Sequence, residues 1–312
     1  MKIQYNNKTY NLPDFLIVGA AKSGTTSLHY YLNGQDNVFL PEIKESYFFS
    51  FYNKKPRFKS PDPLFDVISD LDKYSDQYPY DFEGYLGDAS PSYLYSYDTT
   101  IKNIKTIYGD NYKKLKIIIL LRNPIDRAWS QYMHFKKNYN EPLDFRKALS
   151  EDIILNRLNN NWNYFYDYIG FGMYHEQVEA YIKEFENVNV FLFEELKNNT
   201  EYVVKKTLNF IGDLDPKINI NTNEIFNISG TPKSNFYSYL WRLKKIRFLK
   251  KIVRIIIPSK IKNKLNNFII VRSLKRTSIT NGDRLFLSEL YKEDVEKLYN
   301  CLKKEQIKKW MP

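Results

Sequence analysis

Lys22 stands inside a glycine-bounded turn, Gly19-Ala-Ala-Lys-Ser-Gly-Thr-Thr26, with Ser27 directly after it. Glycines in such a turn let successive backbone N–H groups face one point. A helix starting there adds positive potential, so the segment suits an anion. The Lys22 ammonium and the hydroxyls of Ser23, Thr25, Thr26 and Ser27 can serve the same ligand, and Gly24 gives the turn its freedom. The Walker A pattern places lysine directly after its second glycine, where it reaches the β- and γ-phosphates. Here Thr25 holds that position and Lys22 precedes Gly24. A second apolar run, Lys116-Ile-Ile-Ile-Leu-Leu121, ends in Arg122, where a nucleotide triphosphatase commonly carries a magnesium-binding aspartate. Two cations without that carboxylate suit a phosphorylated ligand met directly by protein, whereas P-loop phosphoryl transfer relies on magnesium.

These residues need a scaffold that brings distant turns together. The segment Asp14-Phe-Leu-Ile-Val-Gly-Ala20 reads as a buried parallel strand, and Thr25–Leu32 as a helix that Gly34 ends. Lys116–Leu121 reads as a second strand, with a helix beginning near Pro124. A third strand is expected at Val188–Phe193, between helices at Tyr174–Phe185 and Tyr202–Ile211, and a last helix at Arg284–Leu302. Between the first two strands lies a loop-rich stretch broken by Pro41, Pro56, Pro61, Pro63 and Pro79. Strands alternating with helices predict an α/β fold, a central parallel sheet flanked by helices, within one domain spanning 1–312. Ligands of such sheets bind at the carboxyl ends of the strands, where both the glycine turn and Arg122 fall.

The 312 residues are 43% hydrophobic and 17% aromatic, which excludes disorder as the dominant state. Net charge is +11, a balance that favours an anionic cofactor, a polyanion or an anionic membrane surface. Much of it gathers in 241–276, which holds thirteen Lys or Arg residues and no acid, and reads as basic amphipathic helices split near Pro258. Cys301 is the single cysteine and there are three histidines, so neither an internal disulfide nor a structural zinc site is expected. No apolar run reaches membrane-spanning length and no signal-peptide core precedes the first strand; the expected location is cytoplasmic, with 241–276 as a possible peripheral membrane contact.

The two motifs together resemble the PAPS-dependent sulfotransferase family, which uses 3′-phosphoadenosine-5′-phosphosulfate, in particular its bacterial and heparan sulfate branch. Ala21-Lys-Ser-Gly-Thr-Thr-Ser27 is similar to that family's 5′-phosphosulfate loop. Leu121-Arg-Asn-Pro-Ile-Asp-Arg-Ala-Trp-Ser130 is similar to its 3′-phosphate motif, which implies that Arg122 and Ser130 grip the 3′-phosphate. Lys44-Glu-Ser-Tyr-Phe-Phe49 resembles the segment whose glutamate is the catalytic base, which implies that role for Glu45, with Glu42 and Asp88 as alternates. Gly87-Asp-Ala-Ser-Pro-Ser-Tyr93 resembles the acceptor cleft segment, which implies acceptor contacts from Asp88, Ser90 and Tyr93. Gly172-Met-Tyr174, Phe193-Glu-Glu-Leu196 and Asn227–Lys233 match later landmarks, and Lys275 or Arg276 is the candidate for a further nucleotide contact. Where the heparan branch carries a lysine this chain has Ala89, and Lys44 is the candidate replacement.

The resemblance implies sulfuryl transfer from PAPS to a hydroxyl or amine, of a carbohydrate by preference, releasing adenosine 3′,5′-bisphosphate without a metal. Lys22 would stabilise the leaving phosphate. His29, His134 and His175 are expected to pack or cap helices, Arg127 to form a structural ion pair, and Trp129 and Tyr132 to belong to the core. The competing readings are a nucleotide kinase or NTPase, and a non-catalytic polyanion binder working through 241–276. A charge run explains neither phosphate motif, and no nucleic acid partner is expected.

Overall fold

Three apolar runs become strands where their sequence predicts them, and two further parallel strands join them. The computed structural model describes residues 1–64, 67–214, 231–232, 274–275 and 277–312. In chain order the strands are β1 (Lys2–Tyr5), β2 (Lys8–Asn11), β3 (Phe15–Gly19), β4 (Val38–Phe39), β5 (Tyr85–Ala89), β6 (Lys116–Leu121), β7 (Asn187–Leu192), β8 (Thr231–Pro232) and β9 (Leu274–Lys275). The helices begin with α1 (Thr25–Asn33), α2 (Phe48–Phe51), α3 (Leu71–Ser75), α4 (Tyr97–Tyr108), α5 (Pro124–Lys137) and α6 (Phe145–Ala148). They continue with α7 (Glu151–Asn159), α8 (Tyr174–Glu184), α9 (Phe193–Asn198), α10 (Thr200–Gly212), α11 (Asn281–Leu302) and α12 (Glu305–Lys308). The amphipathic helices expected for 241–276 lie outside the described residues, apart from β9.

The central sheet has the order β4-β5-β3-β6-β7, and every neighbouring pair in it is parallel. Alternation along the strands divides the core in two. Leu16, Val18, Ile117, Ile119 and Leu121 face α4, α5, α8 and α11, whereas Phe15, Ile17, Ile118 and Leu120 face α1 and α10. Every residue of β3 is buried, as a parallel strand covered on both faces must be.

The last helix starts three residues earlier than the sequence predicts, because the Thr280 hydroxyl accepts the Asp283 N–H at 3.1 Å and caps it there. Its buried residues Leu287, Tyr291, Val295 and Leu298 join the same core as β3 and β6. Among the described residues no helix is long and apolar enough to cross a membrane.

Candidate active site

β3 delivers the glycine turn and β6, hydrogen-bonded beside it, delivers Arg122. Gly19 closes β3 where any side chain would collide with Leu94, whose Cβ lies 2.4 Å from the position a Cβ would take. The backbone then turns through left-handed conformations at Lys22 (φ 70°) and Gly24 (φ 94°). Gly24 is the N-cap of α1 and has no capping side chain, so the first N–H groups of that helix are left for a ligand. Glycine is also needed there because α9 packs close: a Cβ would lie 3.0 Å from Leu196 and 3.1 Å from Phe193.

Arg122 is tied to that turn. Its Nη1 donates to the Lys22 carbonyl at 3.2 Å, and the guanidinium lies 4.7 Å from the Phe193 ring centroid. The Tyr174 hydroxyl donates to the Arg122 carbonyl at 3.0 Å, fixing the end of β6. Burial lowers the pKa of Arg122, yet a guanidinium stays charged. Asn123 caps α5 through Oδ1, which accepts the Ile125 N–H at 3.0 Å, and Pro124 takes the first helical position. Nearly two turns beyond that cap, Ser130 lines the same cavity as Arg122.

A cavity of about 580 Å³ joins these groups, within the usual size of a ligand site. Lys22, Gly24, Thr25, Thr26, Ser27, Glu45, Arg122 and Ser130 all line it. Ser23 is fully buried beneath the turn and does not. Lys275 lies in β9, whose side chains are not described, and Arg276 lies outside the described residues. Burial pushes the Lys22 ammonium down to about 8; attraction from Glu45 opposes this, while Lys137, Lys44 and Arg122 reinforce it. Burial pushes the Glu45 carboxyl up, but Lys44, the Tyr47 hydroxyl and Lys22 overcome that and leave it below its ordinary value. Glu45 Oε1 accepts from Lys44 Nζ at 2.5 Å and Oε2 from the Tyr47 hydroxyl at 2.9 Å. Lys44 thus reaches the cavity through Glu45 and does not itself line it.

Glu45 and Tyr47 hold left-handed backbone conformations, φ 65° and 57°, which cost energy in residues with side chains. Neighbours at and just after the end of β5 hold them: the Glu45 N–H donates to the Ala89 carbonyl at 3.1 Å and the Tyr47 N–H to the Ser90 hydroxyl at 3.3 Å. Asp88, Ser90 and Tyr93, expected to contact the acceptor, are placed behind this loop. All three are buried, at 2%, 0% and 0% exposure, and none lines the cavity. Asp88 accepts from the hydroxyls of Tyr93 at 2.8 Å and Tyr74 at 2.9 Å, and burial raises its pKa against their pull. The three residues shape the Glu45 loop from behind.

His134 does more than pack. Its Nδ1 lies 3.4 Å from Lys22 Nζ and the ring lines the cavity. Burial first, then the Lys22 charge, pushes it down to about 3, so the neutral ring can accept from the ammonium. The pairing joins residues 112 positions apart, a separation that hides it from local patterns. His29 and His175 stay out of the cavity lining. Trp129 lines the cavity as well as stacking on Tyr132, with ring centroids 5.6 Å apart. Arg127, expected in an ion pair, is fully buried and donates instead to the Tyr168 carbonyl, with no carboxylate partner among the described residues.

Residues 12–251 match the model of the sulfotransferase domain family. The membrane-associated sulfotransferase kil1 of Dictyostelium discoideum is 31% identical over 149 residues, which are 46% of this chain and 28% of that protein. The bifunctional heparan sulfate N-deacetylase/N-sulfotransferase 2 of Homo sapiens is 32% identical over 127 residues, 39% of this chain and 13% of that protein. The chain thus spans less than a third of either relative. The crystal structure of a sulfotransferase from Alicyclobacillus acidocaldarius superposes with a TM-score of 0.68 at 26% identity, covering 96% of this chain and 99% of that one. Family model, strand topology and cavity lining agree: this chain belongs to the sulfotransferase family.

Proposed function

We propose that the chain transfers the sulfuryl group of PAPS to a hydroxyl or amine of an acceptor, by preference a carbohydrate, and releases adenosine 3′,5′-bisphosphate. One observation carries this: Lys22 and Arg122, delivered by adjacent parallel strands, line one cavity together with a carboxylate, Glu45. The donor set fits the nucleotide. The turn, the start of α1 and Thr25–Ser27 suit the 5′-phosphosulfate, and Arg122 with Ser130 suits the 3′-phosphate.

In the reaction a bond forms from the acceptor oxygen or nitrogen to sulfur, and the bond from sulfur to the 5′-phosphate oxygen breaks. Glu45 takes the acceptor proton, and the electron pair leaves with the phosphate. Lys22 balances the charge that grows there, oriented by His134 at 3.4 Å. Glu45, held ionised by Lys44 and Tyr47, is ready to accept. Lys44 spends its charge on that base. The basic segment 241–276 would meet an anionic glycan or an anionic membrane surface, a reading that the name of the Dictyostelium relative supports. The test is transfer of radiolabelled sulfuryl from PAPS to a panel of glycans by the wild-type chain and by Glu45→Gln. Transfer by wild type that the variant largely loses is expected. Equal transfer by both removes Glu45 as base, and no transfer by either removes the activity.

A further inference from the structure

Successive residues of α5 are turned by roughly 100° about its axis, so the side chains that line the cavity from this helix divide into two flanks. His134, 3.4 Å from Lys22, stands between them. Asp126, Trp129 and Ser130 fall on one flank, where the charge of Asp126 acts on Arg122. Gln131 and Phe135, about one turn apart, fall on the other. This second flank is the one joined to Glu45. Phe135 stacks on Tyr166 at 4.3 Å, the adjoining Phe165 ring meets Tyr47 at 6.0 Å, and the Tyr47 hydroxyl donates to Glu45 at 2.9 Å.

Gln131 differs from the polar groups around it. The Glu45 carboxylate is held by Lys44 and Tyr47, and His134 faces Lys22. Gln131 is only 3% exposed, yet its Oε1 is buried with no hydrogen-bond partner among the described residues. A buried amide without a partner destabilises a fold, and an apolar side chain of the same length would fill the space without that penalty. Rotation about the last side-chain bond exchanges Oε1 with Nε2, so the carboxamide can turn a donor or an acceptor toward the cavity that Gln131 lines. A ligand on this flank would complete it.

We infer that Gln131 is a specificity-determining residue of the acceptor subsite, whose carboxamide bonds a sugar hydroxyl neighbouring the group that takes the sulfuryl. This rests on the proposed sulfuryl transfer. A hydroxyl both donates and accepts, as the carboxamide does, and calls for no charged partner. With Glu45 on the reacting group and Gln131 on its neighbour, two fixed points decide which position of the sugar is presented to sulfur.

Gln131→Met keeps the side chain's length and removes both hydrogen-bonding atoms. Transfer of radiolabelled sulfuryl from PAPS to methyl β-glucopyranoside and to its monodeoxy analogues is measured for the wild-type chain and the variant. Affinity for adenosine 3′,5′-bisphosphate and Tm are measured in parallel. In wild type one analogue, besides the one lacking the sulfated hydroxyl, should fall roughly five- to tenfold in kcat/KM, the usual size of one hydrogen bond. In Gln131→Met the parent sugar should fall by the same factor and that analogue should not, so the difference between them vanishes. Bisphosphate affinity should hold, and Tm should stay level or rise, because no bond within the fold is lost. A difference between the sugars that persists in the variant overturns the inference. So does a lower Tm, which would place the carboxamide's bonds inside the fold, or weaker bisphosphate binding, which would assign Gln131 to the nucleotide. No transfer by a wild-type chain that still binds the bisphosphate removes the sugar acceptor, and the inference with it. Absence of bisphosphate binding in the wild type would instead strike the nucleotide site and the sulfuryl transfer on which the inference rests.

Discussion

Replacing Arg122 by alanine should separate the 3′-phosphate from the rest of the nucleotide. In the structure Nη1 is engaged with the Lys22 carbonyl at 3.2 Å, and Phe193 flanks the guanidinium, leaving the other donors of the fork for a ligand. A hydrogen bond to a charged group contributes about 1.5–3 kcal/mol, so two of them at the lower end contribute about 3 kcal/mol. At 1.4 kcal/mol per tenfold this is roughly a hundredfold in Kd for adenosine 3′,5′-bisphosphate. Adenosine 5′-phosphate lacks the group in question and should lose only a few-fold. Arg122→Lys keeps the charge but not the fork and should fall between the two. Isothermal titration calorimetry with both nucleotides reads the contrast directly. Equal losses for the two would mean that Arg122 serves the loop through the Lys22 carbonyl and does not hold a 3′-phosphate.

Lys22→Ala should lower kcat by about 10²–10³-fold in the radiolabel assay, as loss of a preorganised donor does, and near-normal kcat would remove Lys22 from the mechanism. Because burial sets the Lys22 ammonium at about 8, kcat/KM should be full between the acid pH at which Glu45 takes up its proton and that value, and fall as the Lys22 proton is lost above it. Lys22→Arg should push that alkaline limb upward, and an unmoved limb would assign it elsewhere. Tyr174→Phe removes the hydroxyl that holds the Arg122 carbonyl at 3.0 Å; at about 1 kcal/mol, bisphosphate affinity should drop roughly fivefold with adenosine 5′-phosphate unaffected. Arg157 pairs Glu141 through two buried bonds of 2.8 and 2.7 Å, so Arg157→Met should cost about 3–5 kcal/mol in denaturant unfolding, and a neutral result would show that the carboxylate is resolvated.

The strands that carry Lys22 and Arg122 were legible because each is a short apolar run ending at a turn residue or a charge, a pattern set by local sequence. β5 was not. Its Tyr85-Leu-Gly-Asp-Ala89 breaks the apolar pattern with Gly87, which lies beneath the Phe15 ring, and Asp88, which the hydroxyls of Ser46, Tyr74 and Tyr93 satisfy. Tyr93 is near in sequence, but Phe15, Ser46 and Tyr74 come from elsewhere in the chain, and no short window around β5 contains them. The same holds for His134, whose partner Lys22 belongs to another element, and for Arg127, whose acceptor is a backbone carbonyl of residue 168. The hairpin of β1 and β2 did leave a local sign, Asn6-Asn7, both at positive φ as its tight turn requires. Motif spacing picked out Lys22, Arg122 and Ser130, which line one cavity. Glu45 was found through its motif, whereas Asp62, Leu64 and Phe165 line the same cavity from segments that carry no shared signature.

The most direct measurement is a metal-free calorimetric titration of the wild-type chain with adenosine 3′,5′-bisphosphate, beside ATP with magnesium. A nucleotide held between the Lys22 turn and Arg122 predicts binding of the bisphosphate without metal, tighter than ATP. Tighter binding of magnesium ATP, or no heat from the bisphosphate, would contradict it.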